Sequence, residues 1–245
     1  MNPVLQVRAL ERRVGDVEIL RRISLDVMPG EAIGVIGPSG SGKSSLLRCI
    51  AGLDPISGGD VLVEGKSARP GDGAIGMVFQ QFNLWPHLTA RDNVALALKL
   101  VRGMPAKDAD AKAEAALAKV GLGTLGARKP AALSGGQQQR VAIARTLAME
   151  PRVLLFDEPT AALDPELTTE VLDVIRALAA SGVTMLVVSH EMGFVASLST
   201  RVVFLDHGVV VQAAPPADVF GGGGEPRVKT FLKTYLERVA WTKDS

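Results

Sequence analysis

The amino-acid sequence predicts an α/β fold whose core is a parallel β-sheet with helical crossovers. Short apolar runs, of the kind that parallel sheets bury, recur along the chain. Stretches with helical periodicity separate them, and this alternation argues for crossover connections. The chain has 245 residues, of which 47% are hydrophobic and 22% are charged. That is enough for one large domain, or for a core with an inserted lobe.

Each element is predicted from its local pattern. Strands are expected at apolar or alternating runs bounded by turn residues: 4–10, 19–27, 32–36, 58–65, 75–79, 153–156, 185–188, 202–205 and 209–211. Helices are expected at 43–51, 93–101, 106–120, 165–180 and 227–240, with a flexible loop at 221–224. The helical stretch 88–135 interrupts the alternation. We therefore expect a single domain, 1–245, whose core (1–87 and 136–245) carries a helical insertion at 88–135.

Composition and charge limit the classes of function. The formal net charge is +1, so no overall electrostatic attraction to nucleic acid or acidic lipid is indicated. The paired arginines at 12–13 and 21–22 are interpreted as solvated surface. The single cysteine, Cys49, excludes an intrachain disulfide, favours a reducing compartment and is expected to be a small buried hydrophobe. Residues 1–13 lack a signal-peptide core, and the apolar runs are far below the ~20 residues that span a bilayer. Any membrane role should therefore depend on a partner.

A glycine-rich motif follows the strand predicted at 32–36. It reads Gly37-Pro38-Ser39-Gly40-Ser41-Gly42-Lys43-Ser44, with Ser45 next, and it opens a predicted helix. Glycines let backbone N–H groups surround phosphate oxygens, and the helix N-terminus adds a positive dipole end. In such a loop Lys43 reaches the β- and γ-phosphates and the Ser44 hydroxyl binds Mg²⁺. The strand–helix context favours this interpretation over a chance glycine-rich turn.

Two carboxylates end the apolar run at 153–156. Asp157 is a candidate Mg²⁺ ligand, directly or through water, and Glu158 is a candidate general base for an attacking water. Strands often end in acidic residues, so this pattern alone is weak. Combined with the phosphate loop it predicts hydrolysis of a nucleoside triphosphate.

A second helix start also carries glycines. Ser134-Gly135-Gly136 precedes apolar positions with helical spacing. Serine is a good N-cap, so a capping role is physically sufficient. A bare Gly-Gly helix start is equally an anion site, and both interpretations stay open at this point.

With these residues the chain resembles the nucleotide-binding subunits of ATP-binding-cassette transporters. Residues 133–137 resemble the signature motif, Gln80 the Q-loop glutamine, residues 162–164 the D-loop, and His190 the switch histidine. The resemblance covers nearly the whole chain. It implies a RecA-like P-loop NTPase core with an N-terminal antiparallel β region and an inserted α-helical lobe. It also implies that Gln80 contacts Mg²⁺ and that His190 contacts the γ-phosphate.

Within the family, residues 78–89, 190–194 and 204–208 are similar to the ATPases of polar amino-acid importers. The resemblance implies that two copies of the chain enclose two ATP molecules. Each ATP would touch the phosphate loop of one copy and the signature residues of the other: Ser134, Gly135, Gly136 and Gln137, with Asp164 nearby. It further implies two transmembrane permease subunits, an extracytoplasmic amino-acid-binding protein as an indirect partner, and a peripheral position on the cytoplasmic face of the inner membrane.

One position departs from the family pattern. Members usually carry an aromatic residue, on which adenine stacks, just before the glycine that follows the first strand. Here that position is Val14, and no Phe, Tyr, Trp or His precedes Phe79. Val14 offers only a small apolar contact, and Arg12 or Arg13 are the candidates for stacking on the base instead.

Other assignments keep alternatives. His207 is expected in a turn and His87 at the surface, while Trp85 either packs the helical lobe or helps to form a groove for a partner helix. The chain as a whole has two alternative functions. One is an ATPase of another membrane complex, of the lipoprotein-release or cell-division type. The other, which the net charge disfavours, is a nucleic-acid-associated cassette ATPase.

Overall fold

The computed structural model describes residues 2–69, 71–221 and 224–241, with side chains described up to residue 233. The strands are β1 (Leu5–Val14), β2 (Val17–Val27), β3 (Ala32–Ile36), β4 (Gly58–Val63), β5 (Lys66–Ser67), β6 (Ile75–Val78), β7 (Val153–Asp157), β8 (Met185–Val188), β9 (Arg201–Asp206) and β10 (Val209–Ala214). The helices are α1 (Lys43–Ile50), α2 (Ala90–Arg102), α3 (Ala106–Lys119), α4 (Gly135–Ala148), α5 (Pro165–Ala180), α6 (Met192–Leu198), α7 (Pro216–Phe220) and α8 (Pro226–Trp241). The chain forms two compact units, one taking the chain up to Ser67 and again from Leu186, the other spanning Ala68–Met185.

The first unit contains an antiparallel sheet in the strand order β2-β1-β4-β5. Apolar side chains of β1 and β2 that point to one face are buried, including Leu5, Leu10 and Leu20. Alternation of buried and exposed positions is expected for a sheet with one solvated face. The antiparallel β region is thereby confirmed, although β1 runs four residues beyond the strand predicted at 4–10.

The same unit also contains the strands β10, β9, β3 and β8, in that order. Strand β3 is parallel to β9, and all five of its residues are buried. Strands β9 and β10 are antiparallel and meet at a tight turn, where His207 and Gly208 have φ of 46° and 75°. Positive φ at both central residues is what a two-residue hairpin requires, so the predicted hairpin is confirmed. Cys49 on α1 is buried as expected, and desolvation raises the pKa of its thiol.

The second unit pairs β6 in parallel with β7 and contains helices α2 to α5. Thr89 caps α2 by accepting from the N–H of Asp92, and Gly103, with φ of 62°, ends the helix. Both are expected signals for a helix start and stop. The predicted helical stretch 88–135 lies within this unit, which also holds two strands and helices α4 and α5. Its exact bounds as a separate lobe stay a prediction.

Parallel strands joined by helical crossovers confirm the predicted α/β class. Strand β5 and helices α6 and α7 were not predicted, because elements of two to seven residues carry too little periodicity to be recognised. The predicted loop 221–224 lies partly outside the described residues. Among the helices that the structure describes, none is both long and apolar enough to cross a membrane.

Candidate functional site

The glycine-rich motif 37–45 consists of the loop 37–42, which joins β3 to α1 in the first unit, and the first residues of α1. Gly37 has φ of 148°, and a Cβ built there would lie 2.0 Å from the carbonyl oxygen of Leu205 on β9. Gly42, with φ of 103°, is the N-cap of α1. At Gly40, with φ of 77°, no atom of the described part of the chain lies within 4 Å of an added Cβ. The loop is therefore tightly packed where it leaves the sheet and open at its tip, where a ligand would approach.

Lys43 is the first residue of α1, directly after this loop. Its side chain is buried, and Nζ donates to the carbonyl oxygens of Gly37 (2.9 Å) and Pro38 (2.8 Å). Ser41 is also buried, and its Oγ has no hydrogen-bond partner among the residues that the structure describes. Unsatisfied buried hydroxyls are uncommon in native proteins and often mark a missing ligand. A buried cation, an unsatisfied hydroxyl and an open loop tip together fit a bound phosphate group.

The hairpin between β9 and β10 supports the loop from one side. The N–H of Gly208 donates to the carbonyl of Ser41 (3.0 Å), and the carbonyl of Gly208 accepts from Arg21 (2.8 Å). Next to this turn, the buried carboxylate of Asp206 accepts from Nε of Arg227 at 2.6 Å, which raises the pKa of Arg227. Sequence reasoning recognised the hairpin but not this contact, because nothing in either segment indicates that the two meet.

Val14, the position expected to face adenine, lies at the end of β1 opposite Val17. Both side chains are exposed, Val14 by 55% and Val17 by 60%. The guanidinium of Arg12 bonds to Asp54 (3.3 Å) and to the carbonyl of Pro55 (3.0 Å), while Arg13 pairs with Glu18 (2.5 Å). Both arginines are thus already engaged elsewhere in the sheet region.

The two carboxylates lie in the second unit, where Asp157 ends β7 and Glu158 follows it. Both are partly buried, and Glu158 has φ of 47°, which is uncommon for a residue other than glycine. Such strain is typically concentrated at functional positions. The turn after it is fixed by a bond from the N–H of Ala161 to the Glu158 carbonyl.

Helix α4 begins with a capping box. Ser134 Oγ accepts from the N–H of Gln137 (3.2 Å), and Gln137 Oε1 accepts from the N–H of Ser134 (3.1 Å). The predicted N-cap role of Ser134 is confirmed. A Cβ at Gly135 would lie 3.0 Å from Leu163, and one at Gly136 would lie 3.3 Å from Leu167. Residues larger than glycine at positions 135 and 136 would crowd the start of α5. The helix start that carries the exposed Ser134 is therefore closely packed against its neighbours.

Of the remaining predicted site residues, Ser44 and Ser45 are partly buried in the first turn of α1, whereas Gln80, Asp164 and His190 are exposed. Gln80 follows β6 by two residues, and Asp164 is the N-cap of α5 without a side-chain capping bond. His190 is exposed and follows the buried Ser189, whose Oγ accepts from the N–H of Glu191. His87 and His207 are exposed too, as expected.

The loop 80–89 is held by two side chains that sequence reasoning missed. Asn93, wholly buried on α2, accepts from the N–H of Trp85 (2.8 Å) and donates to the carbonyls of Trp85 (3.1 Å) and Thr89 (3.0 Å). Arg145 on α4 donates to the carbonyls of Asn83 (2.7 Å) and Phe82 (3.2 Å). Its guanidinium lies 5.5 Å from the ring centre of Trp85, which is 41% exposed. Trp85 therefore packs on the helical part of its unit and also presents a ring to solvent.

A parallel sheet that feeds a phosphate loop, together with a strand ending in two carboxylates, defines a P-loop nucleotide-binding protein. Comparison with known proteins gives the family: the model described as ABC transporter matches residues 20–161. The chain therefore belongs to the ABC transporter family and is one of its ATP-hydrolysing subunits.

Its relatives match over nearly their whole length. The glutamine transport ATP-binding protein of Geobacillus stearothermophilus is 48% identical, over 91% of this chain and 95% of that protein. The histidine/lysine/arginine/ornithine transport ATP-binding protein of Escherichia coli K12 is 46% identical, over 95% and 98%. The glutamate transport ATP-binding protein of Corynebacterium glutamicum is 45% identical, over 95% and 99%.

Solved structures show the same fold. An ATP-binding cassette solved as a dimer in a post-hydrolysis state, bound to ADP and phosphate, has a TM-score of 0.74 at 34% identity, covering 86% of this chain and 98% of that one. CbiO1 of Clostridium perfringens, part of an ABC transporter complex, has a TM-score of 0.81 at 26% identity, covering 100% of both chains. The family resemblance derived from the sequence is confirmed.

Proposed function

We propose that this chain hydrolyses ATP to energise an importer of polar amino acids through a membrane permease. The observation that carries the proposal is the glycine-rich loop, which combines the buried Lys43 ammonium and the unsatisfied Ser41 hydroxyl with open space at Gly40. The substrate class is supported by relatives 44–48% identical, whose names include transport of glutamine, of glutamate and of basic amino acids.

ATP would bind through its phosphates at the loop. The backbone N–H groups and serines of residues 37–45 would surround the β- and γ-phosphates, while Lys43 would exchange its two carbonyl partners for phosphate oxygens. Ser44, Gln80 and Asp157 supply hydroxyl, amide and carboxylate oxygens, which is the donor set that Mg²⁺ prefers. When bound, Mg²⁺ neutralises charge that develops on the phosphates.

The hydrolytic step needs a proton acceptor. Glu158 would accept a proton from the attacking water, whose oxygen then bonds to the γ-phosphorus as the bond to ADP breaks. His190 would donate a hydrogen bond to the γ-phosphate, and this contact would exist only while the γ-phosphate is bound. The position of Glu158 directly after the end of β7 supports this role, because the carboxylate then lies next to Asp157 at the end of the strand.

A second copy of the chain would complete each ATP site. Ser134, Gly135, Gly136 and Gln137 form a capped helix start with Ser134 exposed, and its positive dipole end suits a γ-phosphate. Asp164, at the start of α5, would lie at the same junction. The dimeric state of the related cassette that binds ADP and phosphate supports this arrangement. Loss of the γ-phosphate would remove the bridge and loosen the dimer.

The loop 80–89 would face the permease. It carries the exposed ring of Trp85, and the surrounding bonds keep that ring in place. Two permease subunits would recruit the ATPase dimer to the cytoplasmic face of the inner membrane. An extracytoplasmic binding protein would select the amino acid.

The test is transport of amino acids into membrane vesicles that contain the subunit together with its proposed permease and binding protein. We expect ATP-dependent uptake of labelled glutamine, glutamate, histidine or arginine, with no uptake of leucine. Vesicles that hydrolyse ATP but take up none of the polar amino acids would contradict the substrate class. ATPase activity that responds to DNA or to an acylated protein instead would favour the alternative functions.

A further inference from the structure

The C-terminal helix α8 packs along strand β9 within the first unit. The ring of Phe231 contacts that of Phe204, with centres 5.2 Å apart, and Arg227 bonds to Asp206. Residues two apart on a strand share a face, as do residues four apart on a helix. The spacings match, at about 6.6 Å along the strand and about 6 Å along the helix. Helix α8 therefore runs antiparallel to β9, and Arg227 in its first turn lies over the end of the strand.

The end of β9 is also the surface against which the glycine-rich loop packs. A Cβ built at Gly37 would lie 2.0 Å from the carbonyl oxygen of Leu205. Two residues past Asp206, the N–H of Gly208 donates to the carbonyl of Ser41 at 3.0 Å. Asp206 thus lies between the two backbone groups that contact the loop. A displacement of Asp206 would shift both of them.

Asp206 is a buried carboxylate at the end of an apolar segment. Its side chain is 8% exposed, and it follows residues 202–205, which are all apolar and buried. Two cationic side chains contact it in the part of the chain that the structure describes. Arg227 lies at 2.6 Å, whereas His207, which is 83% exposed, lies at 3.8 Å. A short bond between two charged groups is the stronger kind, so Arg227 is the main group that compensates the charge of Asp206.

Stability alone does not explain this ion pair. Removing two charges from water costs about as much as their attraction returns, so apolar residues at both positions would often serve equally well. An uncompensated carboxylate beside a loop that binds phosphates would repel the ligand. We infer that Arg227 is a positioning residue for ATP. It compensates Asp206 and holds the end of β9, so that the loop keeps its phosphate-binding shape at Gly37 and Ser41. The inference rests on the proposed function, since it takes this loop as the phosphate site.

Nucleotide affinity of the full-length subunit provides the test. Competition of ATP against a fluorescent nucleotide gives a Kd, and the ATPase rate at saturating ATP gives kcat. Arg227→Met should weaken ATP binding by about 5- to 10-fold, at the lower end of measured couplings between sites. The kcat should stay close to that of the wild type, because the proposed base, Glu158, lies in the other unit. Wild-type ATP affinity in a folded Arg227→Met protein would refute the inference.

Arg201 provides the matched control at the opposite end of the same strand. It pairs with Glu31 at 2.8 Å and donates to the carbonyl of Asp26. It opens β9, so it lies about 16 Å from Asp206 along the strand. Arg201→Met should lower the melting temperature at least as much as Arg227→Met, yet leave the Kd for ATP near the wild-type value. An equal loss of ATP affinity in the two variants would overturn the inference, because the affinity would then follow stability alone.

Two further variants separate charge from packing. Asp206→Asn combined with Arg227→Met leaves no carboxylate to repel phosphate, so it should bind ATP more tightly than Arg227→Met alone. A double variant that binds no more tightly would contradict the role of charge and with it the inference. If Arg227→Met does not fold, Arg227→Gln removes the charge while keeping a hydrogen-bond donor, and the comparison with Arg201→Gln replaces it. A wild type that binds no nucleotide would instead refute the proposed function, and the inference with it.

Discussion

Adenine recognition is open to a direct test at Val14, the exposed residue that ends β1. The family resemblance places the base against this position, where an aromatic ring is usual. Stacking of a base on an aromatic side chain contributes about 1–3 kcal/mol. Val14 supplies no ring, and Arg12 is held by Asp54 and the Pro55 carbonyl. We therefore expect ATP and GTP to bind the wild type with affinities that differ by less than about 5-fold.

Val14→Tyr should restore stacking. Because Val14 is 55% exposed, the new ring requires no rearrangement of the core, and the gain should approach the full stacking contribution. Stacking of about 1–3 kcal/mol corresponds to about 5- to 160-fold tighter ATP binding. The assay is competition of ATP and of GTP against a fluorescent nucleotide, in wild type and variant.

Val17→Tyr is the matched control. Val17 pairs with Val14 across the same hairpin and is 60% exposed, so it tests whether any added ring on this sheet end changes binding. Val17→Tyr should leave the affinities for ATP and for GTP unchanged. Strong ATP preference in the wild type, with no gain in Val14→Tyr, would refute the reasoning and show that other groups hold adenine.

Three further predictions concern the hydrolytic machinery. Glu158→Gln should keep ATP binding and lose turnover by about 10²–10⁴-fold, because an amide cannot accept the proton from water; near-normal phosphate release would exclude this base. Lys43→Ala and Ser134→Arg should each inactivate a homodimer, while mixing them should restore activity through heterodimers with one intact site; full activity of either variant alone would disprove the arrangement in trans. Gly37→Ala should abolish nucleotide binding and lower the melting temperature, because its Cβ would lie 2.0 Å from a carbonyl oxygen on β9. Gly65→Ala, also at positive φ but with open space around its Cβ, is the control: it carries the backbone strain without the clash, so it should lower the melting temperature less and keep nucleotide binding.

The parts of the fold that were predictable depend on local signals. The loop after β3 follows from its glycines and lysine, and the start of α4 follows from Ser134 and Gln137, three residues apart. Helices α6 and α7 escaped prediction because they are short. Their first residues, Met192 and Pro216, follow no side-chain cap.

The supports of the site were not predictable for a different reason. Arg145 lies 62 residues from its partner Asn83 in sequence, and its target is a backbone carbonyl, which any residue supplies. No pattern of residue types therefore marks this contact in advance. Asn93 is similar, since an asparagine in the first turn of a helix is equally compatible with a surface position. A strained backbone such as that of Glu158 is likewise decided by its surroundings.

The packing of Gly37 against Leu205 has a consequence for how the chain is made. The loop needs a strand that the ribosome synthesises only near the end of the chain, and the Gly208–Ser41 bond comes later still. Contacts so far apart in sequence form late, because a long segment must first be brought together. A nascent chain that stops after α5 contains the whole glycine-rich motif but lacks β9 and the turn after it, against which the motif packs. Such a chain should not retain nucleotide, so unfinished subunits would not sequester ATP.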